Sequence, residues 1–277
     1  MKLCRFQPLE FASADIARAP HESHPHMRHG IIEANSVHEF SGELWGARER
    51  TGQKWPLDSV KLLPPAIPSK IVCVGKNYVD HAAEMGGPPP KNPIIFLKPP
   101  SAVIAPHEPI ILPRISQRVD YEGEIAIVIG RQCKHVAKDE ALSYVAGITL
   151  ANEGTIRDWT RHGQFNVTQG KNFDATGAIG PWIETDFDLT KPLHLTVRKN
   201  GEITQEDTTA SMVFSFADII TYTTSFMTLK AGDVICTGTP VKKAGKSDPP
   251  VWLKPGDTIE VESPEVGVLR NSVVDEA

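Results

Sequence analysis

Residues 119–130 read VDYEGEIAIVIG and set three carboxylates, Asp120, Glu122 and Glu124, two positions apart. In a strand that spacing turns all three toward one face. Neighbouring acids on that face lie roughly 6–7 Å apart along the chain, close enough for their side chains to converge on one ion. Without a cation they repel, and one must stay protonated. Donor sets made only of oxygen suit a hard divalent ion such as Mg2+, Mn2+ or Ca2+ over Zn2+. Gly123, between the two glutamates, leaves the opposite face open at that point. The plainer alternative is a strand whose acidic half runs out into solvent and pairs with Arg114 or Arg118. Glu153 offers a third carboxylate, at the end of the strand ITLAN where the chain turns into GTIRDW. Its alternative reading is an acid at a helix start, favoured by the helix dipole.

These residues need a scaffold, and strand signals dominate from Ile71 onward. KIVCVG (70–75), PIIFLK (93–98), IAIVIG (125–130) and ITLAN (148–152) read as strands. NYVDHAAEMGG (77–87) reads as a brief helix stopped by glycines and prolines, and KDEALSYVAG (138–147) as a helix ending at Gly147. Ser215 and Asp218 form a capping box ahead of a helical stripe through Phe216, Ile219, Ile220, Thr223, Phe226 and Met227. DVICTGTP (233–240) is a strand running into a turn, and residues 253–274 read as a terminal hairpin. Strands outnumber helices, which argues for a curled mixed sheet over a regular alternation of strand and helix. LLPPAIPSK (62–70) reads as a linker, which divides the chain into a small N-terminal domain, residues 1–65, and a catalytic domain, residues 66–277. The N-terminal part holds His21, His24, His26, His29 and His38; HESHPHMRHG reads as an irregular solvated loop, with surface metal binding as the alternative.

The main part resembles the fumarylacetoacetate hydrolase family over residues 70–274. The matching pieces come in the family's order: KIVCVGKNYVDHAAE, PIIFLKPPSAV, VDYEGEIAIVIG, YVAGITLANEGTIRDW, QGKNFDATGAIGPWI, FMTLKAGDVICTGTP and LKPGDTIEVE with GVLRN. The resemblance implies an α+β, β-rich fold, a mixed β-sandwich roll of the fumarylacetoacetate hydrolase C-terminal type, often a homodimer, with a divalent metal in a cleft. Glu122 and Glu124 fall on the family's metal-binding glutamates, and Glu153 falls where the family usually has aspartate. That departure keeps the charge on a side chain one methylene longer. Lys171 matches the family's active-site lysine, His81 and Glu84 its His–Glu pair, and Thr239 of GTGTP a turn contributing to the substrate pocket. The resemblance makes Arg157, with Thr239, a substrate-binding residue; three residues after Arg157, Thr160 stands where many relatives have a glutamine that contacts substrate.

The implied chemistry uses Mg2+ or Mn2+ as a Lewis acid toward a chelating 2-oxo acid. Glu84, three residues from His81 and so on the same helical face, would fix the imidazole tautomer and raise its basicity. Lys171 would stabilise an oxyanion or orient a carboxylate. The leading expectation is C–C bond hydrolysis of an acylpyruvate-type substrate through an enolate. Isomerisation of a 2-hydroxyhepta-2,4-diene-1,7-dioate-type acid, and decarboxylation or tautomerisation of oxaloacetate, are the alternatives, since all share the enolate. Such chemistry belongs to aromatic catabolism.

Bulk properties narrow the rest. With 277 residues, 40% hydrophobic and 23% charged, the chain reads as an ordinary globular protein. A net charge of −5 gives no reason to expect nucleic acid or an anionic membrane as partner. No apolar run approaches the ~18 residues of a spanning helix, and the N-terminus lacks the apolar stretch of a signal peptide. Cys4, Cys73, Cys133 and Cys236 are scattered, so they read as reduced thiols of a cytoplasmic protein.

Overall fold

The computed structural model describes residues 1–11, 26–84, 86, 88–164, 166–243 and 251–277. Its centre is the strand Gly123–Ile129, buried along its whole length. Alternate side chains feed two separate cores. Ile125, Ile127 and Ile129 join one that includes Leu195, Val197, Ile219, Ile259 and Val261. Ala126 and Val128 join another with Ile71, Cys73, Ala151, Ile179, Val234 and Cys236. Burial on both faces explains why IAIVIG is continuously apolar and not alternating.

Gly123–Ile129 lies inside a 12-stranded sheet, flanked by Val145–Asn152 and Val234–Cys236. Beyond these come Gly177–Glu184 on one side, and Ile71–Gly75 and Ile94–Lys98 on the other. A five-stranded sheet, running Glu202–Thr208, His194–Lys199, Thr258–Ser263, Gly267–Asp275 and Ile110–Leu112, supplies much of the facing core. The strand-rich, mixed architecture agrees with the fold expected from the sequence. The helix Phe216–Phe226 starts at the Ser215/Asp218 capping box and buries Phe216, Ile219, Ile220 and Thr223.

Several local expectations need correction. Gly123 does not leave an open face. A Cβ there would lie 2.2 Å from Val197 Cγ2, so the glycine is where the two sheets press together. Gly123→Ala is therefore expected to cost about 1–3 kcal/mol through overpacking; urea unfolding would show it, and a change under about 0.5 kcal/mol would contradict the close approach. The VDYEGEIAIVIG strand is also not continuous. Val119–Asp120 pairs with Thr155–Ile156 in a separate two-stranded ribbon, and the long strand begins only at Gly123. Between them the Glu122 N–H donates to Asn152 Oδ1 at 3.0 Å, and the Glu153 N–H donates to the Glu122 carbonyl at 2.8 Å. Residues 138–147 are not a helix. A 3-10 turn covers only Ala141–Tyr144, and strand pairing begins at Val145 against Ile129. The sheet edge there takes the backbone hydrogen bonds that a helix would have kept for itself.

Of the histidine-rich segment, His21 and His24 lie outside the described residues. Arg28–Glu33 is a strand, not a loop, paired on both sides with Lys2–Pro8 and Ser36–Gly42. His29 stacks on Phe40 at 5.7 Å between ring centres. The N-terminal strands extend the large sheet: Lys2 pairs with Glu184 and Leu3 with Ile183. The linker is fastened to the main sheet by Asp233, fully buried. Its carboxylate accepts from the Ser69 N–H at 2.9 Å, Ser69 Oγ at 2.7 Å, the Lys70 N–H at 3.3 Å and the Lys230 N–H at 2.8 Å, and pairs with Lys70 Nζ at 2.5 Å. All four cysteines are free and buried.

Candidate active site

Three elements bring the carboxylates together. Glu122 sits in the break before the central strand, Glu124 within that strand, and Glu153 just past the end of Val145–Asn152. Since those strands pair Gly123 with Asn152, residues 122 and 153 meet at one end of the ladder. Gly154 makes the turn after Glu153 possible. Its φ is +45°, and a Cβ would lie 2.0 Å from the Thr176 carbonyl oxygen; only glycine avoids both strain and clash there.

A buried lysine joins two of the acids. Lys171 Nζ donates to both Glu122 and Glu153, and to Thr155 Oγ1 at 2.8 Å. Thr155 Oγ1 in turn donates to Glu122 Oε2 at 2.7 Å. Arg157 Nη2 donates to Glu122 Oε1 at 2.7 Å, and its Nε to Asp120 Oδ2 at 2.9 Å. Although burial opposes it, Arg157 and Lys171 hold the Glu122 carboxyl well below the usual range. The same carboxylates hold the Lys171 and Arg157 cations firmly protonated against the cost of burial. Glu153 is pushed up to about 7, by burial first, with Lys171 and Lys98 opposing and Glu122 adding to the rise. Burial pushes Glu124 well above the carboxylate range, and Cys236, Glu153 and Glu122 add to it. Its Oε2 accepts from the Gly238 N–H at 2.7 Å.

Whether these acids suit a divalent ion can be judged from their own contacts. Glu153 Oε1 is buried and has no hydrogen-bond partner among the described residues, although Lys98 Nζ lies 3.1 Å away at ion-pair distance. A spare buried oxygen and carboxylates that raise one another's proton affinity are what a hard cation relieves. The donor chemistry fits. No ready-made cage exists, however: among the described residues no three His, Cys, Asp or Glu side chains are gathered closely enough to hold a metal. The Lys171 ammonium bridges Glu122 and Glu153 instead.

His81 lies on the helix Val79–Glu84, with its Nδ1 3.6 Å from Glu84 Oε2. That Nδ1 has no hydrogen-bond partner among the described residues, so the pair is adjacent but not drawn up into a dyad. Burial lowers the His81 pKa, and the ring also feels the charges of Glu122, Arg157, Glu84 and Lys171. Asn77 anchors the helix: its Nδ2 donates to the Thr237 carbonyl at 2.7 Å and its Oδ1 accepts from the Phe214 N–H at 2.9 Å. Thr239 is next to Gly238, and its Oγ1 accepts from Gln205 Nε2 at 2.9 Å. Thr160 Oγ1 donates to the Arg157 carbonyl at 2.8 Å, and Gly170 packs against it. The residue that replaces glutamine thus braces the turn carrying Arg157.

Sequence reasoning misses Lys98, Thr155 and the partners of Asp120. Lys98 is 1% exposed and donates to the carbonyls of Gly154, at 3.3 Å, and Lys171. Its one signal is a lysine closing the apolar strand PIIFL. A cavity of about 650 Å3 lies elsewhere, lined by Leu57, Lys61, His107, Glu108 and Trp182 among others; it contains none of the clustered acids.

Comparison with known proteins identifies relatives of the whole chain. Residues 70–274 match the family model described as fumarylacetoacetate (FAA) hydrolase C-terminal, and residues 16–65 match one described as Rv2993c-like, N-terminal. The chain is 43% identical over 295 residues to oxaloacetate tautomerase FAHD2A, mitochondrial, of Bos taurus, covering 97% of this chain and 94% of that one. The human oxaloacetate tautomerase FAHD2B, mitochondrial, is 37% identical over the same shares. Among solved structures, 2-hydroxyhepta-2,4-diene-1,7-dioate isomerase from Mycobacterium marinum superposes with a TM-score of 0.83 at 34% identity, covering 100% of this chain and 99% of that one. The 5-carboxymethyl-2-hydroxymuconate delta-isomerase from Mycobacterium smegmatis gives 0.83 at 35%, covering 100% of both chains.

Proposed function

The chain belongs to the fumarylacetoacetate hydrolase family of enzymes, and from that premise we propose that it moves a proton within a small 2-oxo or enol diacid, as a tautomerase or isomerase. Acylpyruvate hydrolysis, the leading expectation from the family resemblance, gives way because the more similar proteins described above carry tautomerase and isomerase names, while the structure named fumarylacetoacetate hydrolase, from Exiguobacterium antarcticum, is less alike at 30% identity. The observation that carries the reading is the Lys171 ammonium, 8% exposed and shared between Glu122 and Glu153. A fixed, water-shielded cation beside a reacting oxygen favours the enolate over the keto acid.

Glu122, Glu124 and Glu153 would hold Mg2+ or Mn2+, which when bound supplies Lewis-acid polarisation of the 2-oxo group. Lys171 donates to the oxygen that gains charge as the C–H bond breaks. His81, kept neutral by burial, takes the proton from carbon and returns it to oxygen or to another carbon. Glu84, 3.6 Å from Nδ1, steadies the imidazolium in between. No water is consumed and no C–C bond breaks.

His81→Ala is expected to lower kcat/KM by roughly 10²–10⁴-fold, the usual share of a general base. Because the lowered pKa keeps the base form down to lower pH, the acid limb of the wild-type profile should fall below about pH 6.5 and be absent from the residual activity of the variant. An unaltered pH profile in His81→Ala would remove His81 from the mechanism. The reaction itself is tested with Mg2+ present, by following loss of oxaloacetate enol absorbance alongside release of pyruvate from a panel of acylpyruvates. Accelerated enol loss without acylpyruvate cleavage supports proton transfer; efficient cleavage with no effect on the enol overturns it.

A further inference from the structure

Asp120 has no part in the chemistry above, yet it is the anchor of two cations. Arg157 Nε donates to its Oδ2 at 2.9 Å, and Lys242 Nζ to its Oδ1. We propose that Lys242 and Arg157, held side by side on Asp120, form the subsite for the second carboxylate of a dicarboxylate substrate, with Lys242 the specificity-determining residue. This rests on the proton-transfer reading and names the substrate class that reading serves.

The charges are laid out as a chain. Lys242, Asp120, Arg157, Glu122, Lys171, Glu153 and Lys98 alternate in sign, each within ion-pair reach of the next. The chain begins and ends on a cation, so four positive groups face three negative ones; Glu124 stands apart on the Gly238 N–H. One end, Lys98, is sealed in the core at 1% exposure. The accessible end is Lys242. Side-chain exposure is 27% for both Lys242 and Arg157 but 7% for Asp120, so an arriving ligand meets the cations and not the acid beneath them. Arg157 is common to both ends of the site: it touches Glu122 among the reacting groups and Asp120 at the rim. A 2-oxo diacid lying along this line would place its 2-oxo end at Lys171 and its far carboxylate at Lys242.

Lys242 is also held in place, as a specificity contact requires. Its ammonium lies 4.0 Å from the centre of the Tyr121 ring. Gln205 Nε2 donates to Thr239 Oγ1 at 2.9 Å and to the Pro240 carbonyl at 2.5 Å, and the Lys243 N–H donates to the Thr204 carbonyl at 2.7 Å. The backbone is therefore fastened on both sides of residue 242.

The test compares the enol of oxaloacetate with that of its 4-methyl ester, the same skeleton without the far charge. In Lys242→Ala the diacid-to-ester ratio of kcat/KM should fall tenfold or more, chiefly through KM for the diacid. A ratio unchanged from wild type overturns the proposal. Because the substitution also bares Asp120, the double variant Lys242→Ala/Asp120→Asn is measured beside it. A ratio that stays low supports direct recognition; a ratio restored to wild type shows that Lys242 only shields Asp120, and overturns it. Failure of the wild-type protein to act on either enol would sink the proton-transfer reading instead. The subsite is then read by calorimetry with 2-oxoglutarate and 2-oxobutyrate, where the affinity ratio must fall tenfold in Lys242→Ala or the subsite falls as well.

Discussion

Glu122→Gln is expected to lower kcat/KM by roughly 10²–10³-fold or more, the size of effect seen when one fixed electrostatic partner is removed from a dry site. Glu122 is the hub of the cluster: Lys171, Arg157 and Thr155 all bond to its carboxylate. An amide has the same shape but carries no charge, and its NH2 would face a cation. The fold should survive, because Lys171 keeps Glu153 and Arg157 keeps Asp120. The far-ultraviolet circular dichroism should therefore match wild type, while Mg2+ titrated calorimetrically into the variant should bind at least tenfold more weakly. Full turnover in this variant would refute the assignment of the whole cluster as the active site.

The second large effect is on stability and lies far from the chemistry. Asp233→Ala leaves the Ser69, Lys70 and Lys230 donors without their acceptor in a fully buried place. Breaking a buried, hydrogen-bonded charge pair costs about 3–5 kcal/mol, and for a chain of this size roughly 10 °C in Tm. Asp233→Asn, which keeps part of the acceptor capacity, should fall between the two. Calorimetric melting checks both; an Ala variant within about 2 °C of wild type would mean that the linker is held by something else. Arg5 offers a partial backup, since its Nη1 donates to the Pro64 carbonyl at 2.7 Å.

The acids at the centre of the site are legible in the sequence, but their arrangement is not. Glu122 and Glu153 stand out because they sit next to strong strand signals, IAIVIG and ITLAN, whose pairing brings them together. Lys171 is recognisable only through the family resemblance, since a lysine after QG looks like any loop lysine until a chain fold 49 residues away delivers it to Glu122. Lys98 and Lys242 are harder still: their partners are 73 and 122 residues distant, and no local pattern records such contacts. Asp120 shows the limit of periodicity. Two-residue spacing places it with Glu122 and Glu124, but side-chain and backbone bonds to Asn152 and Glu153 break the strand between them. The helix expected over 138–147 fails for a related reason: helix propensity is a weak preference, and an available sheet edge overrides it. The capping box at Ser215 and Asp218 holds because its hydrogen bonds are local.

The seam where Lys2 and Leu3 pair with Glu184 and Ile183 has a consequence for how the protein is made. Strands that lie side by side there are separated by most of the chain, and such high contact order slows folding. On the ribosome, the N-terminal strands through Leu63 emerge first and can pair among themselves. Their partner edge follows more than a hundred residues later, on the order of ten seconds at ordinary synthesis rates. Val60–Leu63 already covers the Arg5–Pro8 part of the first strand, so during that interval the Lys2–Leu3 end is the unpaired strand edge, open to pairing with any extended chain nearby. The nascent protein is most exposed to misassembly there, and completion of Gly177–Glu184 ends that exposure.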